Sequence, residues 1–356
     1  MKIGTHVLSI TLGSLALVGT LGMSSPEAKG TDEPVLRAGL IGLDTSHVIA
    51  FTRVLNAEEA EGPLARVKVV AGYPGGSPDI ASSRDRVEGF TTQLRDEYGV
   101  EIVDSIEELL EKVDVVFLES VDGRPHLEQA RPVIAAGKPL FIDKPLAGSL
   151  ADAVEIARLA EQAGVPCWSS SSLRFQPQIE AAKELEIVGT FTYGPCSLEE
   201  HHPDLFWYGV HGVEMLFALM GPGCETVSRV HTDGTDVVTG VWKDGRVGTF
   251  RGIRDGRAGY GATVFGKEKI ETITVGGGYQ AMLVEVCEFF LDGEPPVPLK
   301  DTVEMFAFME AADESKRQGG APVSVVDYLK EKETEVGVRA ANRAREQKFR
   351  AQGLIP

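Results

Sequence analysis

From residue 35 to about residue 168 short apolar runs alternate with stretches of helical period. The runs at 36–41, 67–71, 113–118, 140–142 and 165–168 read as buried strands. Between them, Ser105-Ile106-Glu107-Glu108 and Ser149-Leu150-Ala151-Asp152 have capping-box form, in which the serine oxygen satisfies free N–H groups at a helix start. In the second of these helices Leu150, Val154, Ala157 and Ala160 share one apolar face, and Gly164 supplies a left-handed stop. Pro132, inside the helical pattern of 126–136, predicts a helix that begins late or kinks. Strand and helix in alternation predict a doubly wound parallel sheet, an α/β Rossmann arrangement, over 34–172. Beyond about Gly189 the pattern changes to β-rich runs at 190–193, 227–231, 237–242, 247–253, 262–265 and 270–275. Lys243-Asp244-Gly245-Arg246 is a hairpin turn, since Asp-Gly tolerates positive φ. A second, α+β domain with an open, largely antiparallel sheet is therefore expected over 173–325, with helices at 211–220, 279–291 and 302–317. The charged segment 326–356 reads as a solvated helix or an oligomer arm.

Composition narrows the classes. A chain of 356 residues with 43% hydrophobic and 25% charged residues buries a substantial core in two domains. A formal charge of -18 opposes any polyanion, so no nucleic-acid partner is expected. Lys2, an apolar run over 7–23 broken by three glycines, and the polar Ser24-Ser25-Pro26-Glu27 together read as a Sec-type signal peptide with a short linker over 1–30. Export to the periplasm or cell exterior, with no membrane span in the mature chain, is the expectation; an uncleaved anchor is the rival reading. Cys167, Cys196, Cys224 and Cys287 lack metal-type spacing and read as scattered buried thiols, open to disulfide formation in an oxidising compartment.

Chemistry concentrates at Gly137-Lys138-Pro139-Leu140-Phe141-Ile142-Asp143-Lys144-Pro145, where a strand delivers an acid, a lysine and a proline together. Proline excludes the preceding residue from the helical region, so Lys144 is held extended, either toward a ligand or in a surface turn. Upstream, Gly42-Leu43-Asp44-Thr45-Ser46-His47 stands where a dinucleotide-binding protein carries its glycine-rich turn.

These landmarks, with Pro125-His126, Arg174-Phe175-Gln176-Pro177 and His211 at a helix start, resemble the glucose-fructose oxidoreductase, inositol dehydrogenase and MocA (Gfo/Idh/MocA) family over roughly 36–325. The resemblance implies a Rossmann domain, a second domain with an open sheet that often forms homo-oligomers, and NAD(P)-linked oxidation or reduction of sugars and polyols. It implies that Lys144 and His211 are catalytic. Asp143 replaces the glutamate of the family's Glu-Lys-Pro, and Trp207 and Glu214 stand where the family has aspartates around its histidine. His211, with an ordinary pKa of about 6.5, suits proton transfer from a hydroxyl, with Lys144 stabilising the oxygen. The alternative for His211 is a capping or packing role.

The family's three glycines fall on Gly42, Asp44 and His47, and a carboxylate at the second would repel a pyrophosphate. Either Thr45, Ser46 and helix-start N–H groups contact phosphate with Asp44 turned away, or Asp44-Thr45-Ser46 only caps the helix. No acid follows the second strand; Ser77 and Arg84 are the candidates for a 2′-phosphate. Glu119, Asp122 and His126 above the sheet, with Asp143 and Lys144, complete the expected cofactor contacts. Glu199-Glu200-His201-His202, followed by His211 and Glu214, carries ligand types that suit zinc or manganese, yet without a recognised metal spacing, so no metal is assigned. Arg174, His201, His202, Trp207, Tyr208 and Glu214 are instead read as substrate contacts, the aromatic pair stacking on a sugar face. The expected protein is an exported oxidoreductase acting on a small carbohydrate with a tightly bound NAD or NADP. A nucleotide-independent lyase or hydrolase, metal-dependent in one version, and a noncatalytic sugar-binding module are the rivals.

Overall fold

The computed structural model describes residues 34–352. The leader read at 1–30 lies outside the described residues. The described residues form one compact unit, built on two sheets.

The first sheet is parallel, in the order β3-β2-β1-β4-β5-β6. Its chain path is β1 (Leu36–Ile41), α1 (Ser46–Leu55), β2 (Val67–Tyr73), α2 (Ala81–Arg84), α3 (Val87–Tyr98), β3 (Glu101–Ile102), α4 (Ile106–Lys112), β4 (Val115–Leu118), α5 (His126–Ala135), β5 (Leu140–Asp143), α6 (Leu150–Ala163) and β6 (Cys167–Ser170). β1 and β4 are adjacent, so the strand order reverses between them, and a crevice opens at their carboxyl ends. The capping boxes form as expected: the Ser105 hydroxyl accepts from Glu108 N–H and the Ser149 hydroxyl from Asp152 N–H, both at 3.1 Å. α5 starts directly at His126 and carries Pro132 inside it, so the expected late start does not occur.

The second sheet has seven strands in the order β12-β11-β7-β10-β9-β8-β13. After α7 (Pro177–Lys183) come β7 (Ile187–Pro195), α8 (Gly209–Met220), β8 (Cys224–Thr232), β9 (Thr235–Trp242), β10 (Val247–Ile253), β11 (Tyr260–Gly266) and β12 (Ile270–Val275). The Asp244-Gly245 hairpin joins β9 to β10, with Gly245 at φ 85°. All pairings are antiparallel except β7 with β10, which is parallel. α9 (Gln280–Asp292), α10 (Leu299–Arg317), β13 (Val323–Ser324) and α11 (Val325–Ala351) complete the chain.

α9 returns to the first sheet. Its Phe290 packs edge-on to Phe117 of β4 at 5.1 Å between centroids, and Phe289 meets Trp168 of β6 at 5.9 Å. Each such buried ring contributes about 2–3 kcal/mol, and together they seat α9 against the first sheet. All four cysteines are free and buried, and burial pushes each thiol up to about 12. Among the described residues no helix is long and apolar enough to cross a membrane.

Candidate active site

The crevice above β1, β4 and β5 holds a cavity of about 700 Å³. From the first sheet's side it is lined by Thr45, Ser46, His47, Arg86 and Lys144, and from the other by Glu199, Trp207, Tyr208, His211, Tyr260 and Tyr279.

The β1–α1 turn is built differently from a glycine-rich phosphate turn. Gly42 has φ 84°, and a Cβ there would collide with the backbone of Ser120 at the end of β4. Its glycine is required by the neighbouring strand end. Asp44 turns inward and is fully buried: its carboxylate accepts from Ser83 Oγ at 2.5 Å and from Val121 N–H at 2.9 Å. Burial raises its pKa, opposed by those two hydrogen bonds. Asp44 thus ties the turn to α2 and to the loop after β4, leaving the cavity edge to Thr45 and Ser46. Thr45 caps α1, accepting from His47 N–H at 3.4 Å.

His47 projects across to β5, its Nδ1 lying 2.7 Å from Asp143 Oδ2, and its ring packs on Tyr279 at 4.6 Å between centroids. The imidazole, the ammonium of Lys144 and the Lys144 N–H favour the ionised form of Asp143; they outweigh its burial and hold its pKa down. Lys144, whose peptide bond to Pro145 is cis, stands half-buried on the cavity wall.

On the opposite wall His211 opens α8, with Nδ1 2.7 Å from Ser171 Oγ. Ser171 belongs to the serine run that continues past β6, and it also accepts from Leu173 N–H at 3.3 Å. Burial lowers the His211 pKa well below the ordinary imidazole value, and the positive charges of Lys144 and His47 add to that. His211 is therefore neutral at pH 7, and with Nδ1 engaged by Ser171 its Nε2 is the nitrogen left for a ligand.

Several expected contacts lie elsewhere. His202 is off the cavity, its side chain fully buried with Nδ1 2.7 Å from Glu199 and Nε2 3.1 Å from Asp122. His201 pairs with Glu199 at 2.8 Å, and it is Glu199 that reaches the cavity wall. Asp122 is committed to Ser77 Oγ at 2.5 Å, to Arg124 and to His202. These partners outweigh burial and hold its carboxyl far below the usual range. Ser77 is thereby spent, and Arg84 pairs with Asp85 and the Pro78 carbonyl. Neither faces the cavity; Arg86 does. His126 is wholly buried between the carbonyls of Ser120 and Leu146. Glu214 is buried and ion-paired to Arg174, and it accepts from Ser170 Oγ at 2.8 Å. This pair braces α8 against the β6 end rather than lining the cavity. Glu119, buried at the end of β4, also lies behind the wall. Trp207 and Tyr208 are on it.

Arg86, Tyr260 and Tyr279 were not indicated by any motif, because each comes from a distant segment folded onto the cleft. Ser171 had a local signal in the polar run that follows a buried strand.

A parallel Rossmann sheet joined to an open mixed sheet leaves a cleft at the strand-order switch point, where folds of this kind bind their ligands. Residues 79–171 match the profile described as "Oxidoreductase family, NAD-binding Rossmann fold", the Gfo/Idh/MocA family, and the whole carries that family's fold in a divergent form. The chain superposes on GenD2 from gentamicin A biosynthesis, solved in complex with NAD, with TM-score 0.67 and 20% identity, covering 82% of this chain and 97% of that one. It is similarly close to myo-inositol 2-dehydrogenase from Lactobacillus plantarum, with TM-score 0.66 and 18% identity over 82% and 99% of the two chains. For scyllo-inositol dehydrogenase from Lactobacillus casei the values are 0.67 and 15%, over 82% and 99%. Among curated proteins, the uncharacterized protein YMR315W of Saccharomyces cerevisiae is 25% identical over 141 residues, spanning 34% of this chain and 40% of that protein.

Proposed function

We propose that this protein is an NAD(P)-dependent oxidoreductase acting on a hydroxyl or ketone of a polyol or sugar. The observation that carries the proposal is the sharing of one cavity by Lys144, a neutral His211 and the N-terminal end of α1. The residues fit a dinucleotide in part by the usual means and in part by others. Asp44 is turned away, its carboxyl engaged by Ser83 and Val121, so Thr45, Ser46, the first N–H groups of α1 and Arg86 are the groups that would hold the phosphates. When bound, the nicotinamide supplies the hydride acceptor or donor.

This chain's part is the proton and the oxygen. With Nδ1–H donated to Ser171, His211 Nε2 accepts the hydroxyl proton as the alcohol is oxidised and returns it when the ketone is reduced. Lys144 has no ion pair among the described residues, and its ammonium is free to stabilise negative charge on the reacting oxygen. Trp207 and Tyr208 offer flat apolar faces for the carbon side of a ring, and Glu199 an acceptor for its hydroxyls. The leader supports export, and for an exported enzyme the nucleotide is retained through turnover rather than exchanged.

Denaturing the purified protein and analysing the supernatant by mass spectrometry should release NAD or NADP, and Lys144→Ala should abolish turnover with the fold intact. Absence of released dinucleotide together with no NAD(P) binding by calorimetry overturns the reading.

A further inference from the structure

Glu119 is fully buried at the carboxyl end of β4, and neither of its carboxylate oxygens has a hydrogen-bond partner. A buried acid cannot settle this by taking up a proton. A neutral carboxyl still holds one donor and an acceptor that need partners, and an orphaned buried polar group costs about 1–3 kcal/mol. Its surroundings do not supply them. Asp143 and Asp44 are near enough to disfavour its ionisation, and Lys144 is near enough to favour it but makes no ion pair with it. Three acids therefore crowd toward one lysine and one imidazole that stand on the cavity wall.

The nearest ligand-type groups are already gathered. One atom each of the His47 imidazole, the Glu119 carboxylate and the Asp143 carboxylate lie within 4.8 Å of one another. His47 Nδ1 and Asp143 Oδ2 lie 2.7 Å apart, a hydrogen-bond separation; two ligands on one tetrahedral ion at about 2.1 Å stand about 3.4 Å apart, so the ion replaces the shared proton and the pair opens slightly to admit it. We propose that His47, Glu119 and Asp143 hold one divalent cation of the zinc or manganese class, with Glu119 as the ligand whose place the protein keeps unpaired. One nitrogen and two carboxylates suit those ions better than calcium or magnesium, which prefer all-oxygen sets. Three protein ligands leave a coordination position open, the pattern of reactive rather than purely structural sites. His47 and the neighbour of Asp143, Lys144, both line the cavity, so the proposed site adjoins it. The three ligands come from the ends of β1–α1, β4 and β5, and the sequence cluster from Glu199 to Glu214 contributes none of them.

The inference goes beyond the nucleotide reading and is tested without nucleotide. Chelator-treated, nucleotide-free full-chain protein is titrated with manganese chloride while the free-ion electron paramagnetic resonance signal is followed. One manganese per chain should bind at micromolar concentration and be displaced by zinc. Glu119→Gln should weaken that binding at least tenfold. It should also leave the metal-free protein with a melting temperature close to the parent's, since neither carboxyl oxygen of Glu119 has a hydrogen bond to lose. Zinc should raise the melting temperature of the parent and not of His47→Ala, an arm that holds even if Glu119→Gln fails to fold. Binding only at millimolar manganese, or binding unchanged in Glu119→Gln, overturns the site. Released dinucleotide with no manganese binding would leave the oxidoreductase reading standing and remove this one alone.

Discussion

Replacing Asp44 by glycine restores the residue type that dinucleotide-binding turns carry, yet the change should harm the protein. The carboxylate holds Ser83 Oγ at 2.5 Å and Val121 N–H at 2.9 Å, and Ser83 is itself fully buried. Leaving two such donors without an acceptor costs about 1–3 kcal/mol each, and the added freedom of a glycine in the unfolded chain about 0.5–1 kcal/mol more. Relief of the carboxylate's own burial, visible in its raised pKa, offsets part of this. A net loss of about 3 kcal/mol follows, and at roughly 2 °C per kcal/mol for a chain of this size the melting temperature should fall by about 6 °C. The pH dependence has a definite sign. A carboxyl whose folded pKa is raised stabilises most below its unfolded pKa of about 3.9, and that contribution is lost as pH rises through the folded value. The gap between parent and variant should therefore be wider at pH 4 than at pH 8. Far-UV circular dichroism melts at the two pH values, paired with NAD and NADP titrations by calorimetry, check both halves. If Asp44→Gly is as stable as the parent and binds dinucleotide more tightly, Asp44 is an obstruction in the phosphate site and not a strut.

Three further outcomes follow from the same structure. The His211 imidazole should titrate below its ordinary pKa of about 6.5 in NMR and move up in Lys144→Ala, because the Lys144 charge is one of the causes of its depression; no movement would detach the two residues. A histidine depressed in this way supports the fold fully above its unfolded pKa and loses that support as pH falls below it, so the activity limb lies on the acid side. Arg229, with a wholly buried guanidinium held by Asp236 at 2.7 Å, Asp204 at 2.8 Å and Asp313, should be intolerant of Arg229→Met. About 3–5 kcal/mol should be lost at neutral pH in denaturant melts, and part regained in acid, since burial has already pushed Asp313 up to about 6. The homo-oligomer expected from the family resemblance can be tested at the second sheet. Val188, Val247 and Phe265 are 46%, 45% and 38% exposed along one groove of the second sheet, and Phe265→Asp should shift light-scattering mass toward the monomer; a monomeric parent would refute it.

The elements were legible where periodicity and caps acted locally. The Ser105 and Ser149 boxes, the Asp244-Gly245 hairpin and the apolar strand runs need only their neighbours in sequence to decide their conformation. What escaped needed partners far along the chain. β3 is only Glu101–Ile102, too short to carry a period, and exists because β2 offers it an edge. The parallel pairing of β7 with β10 is fixed by α8 and the β8–β9 hairpin lying between them, which no turn signal encodes. α9 belongs to the second half of the sequence but packs on the first sheet, because the rings of Phe117 and Trp168 are there to be covered.

The candidate site divides in the same way. Lys144 and His211 were found by motif, since the strand end and the helix start that present them are local structures. Arg174 and Glu214 carry the right chemistry in the right neighbourhood but spend it on each other, His201 and His202 spend theirs on Glu199 and Asp122, and only distances reveal that a charged side chain is already satisfied. Asp44 and Glu119 sharpen the point. Both are acids at the carboxyl ends of adjacent parallel strands, both are fully buried, and composition or hydropathy gives no means of separating them. Each carboxylate oxygen of Asp44 accepts one hydrogen bond, from Ser83 or from Val121, so it is explained as architecture. Glu119 has none filled, so the fold alone does not account for its presence, and a ligand that supplies positive charge does.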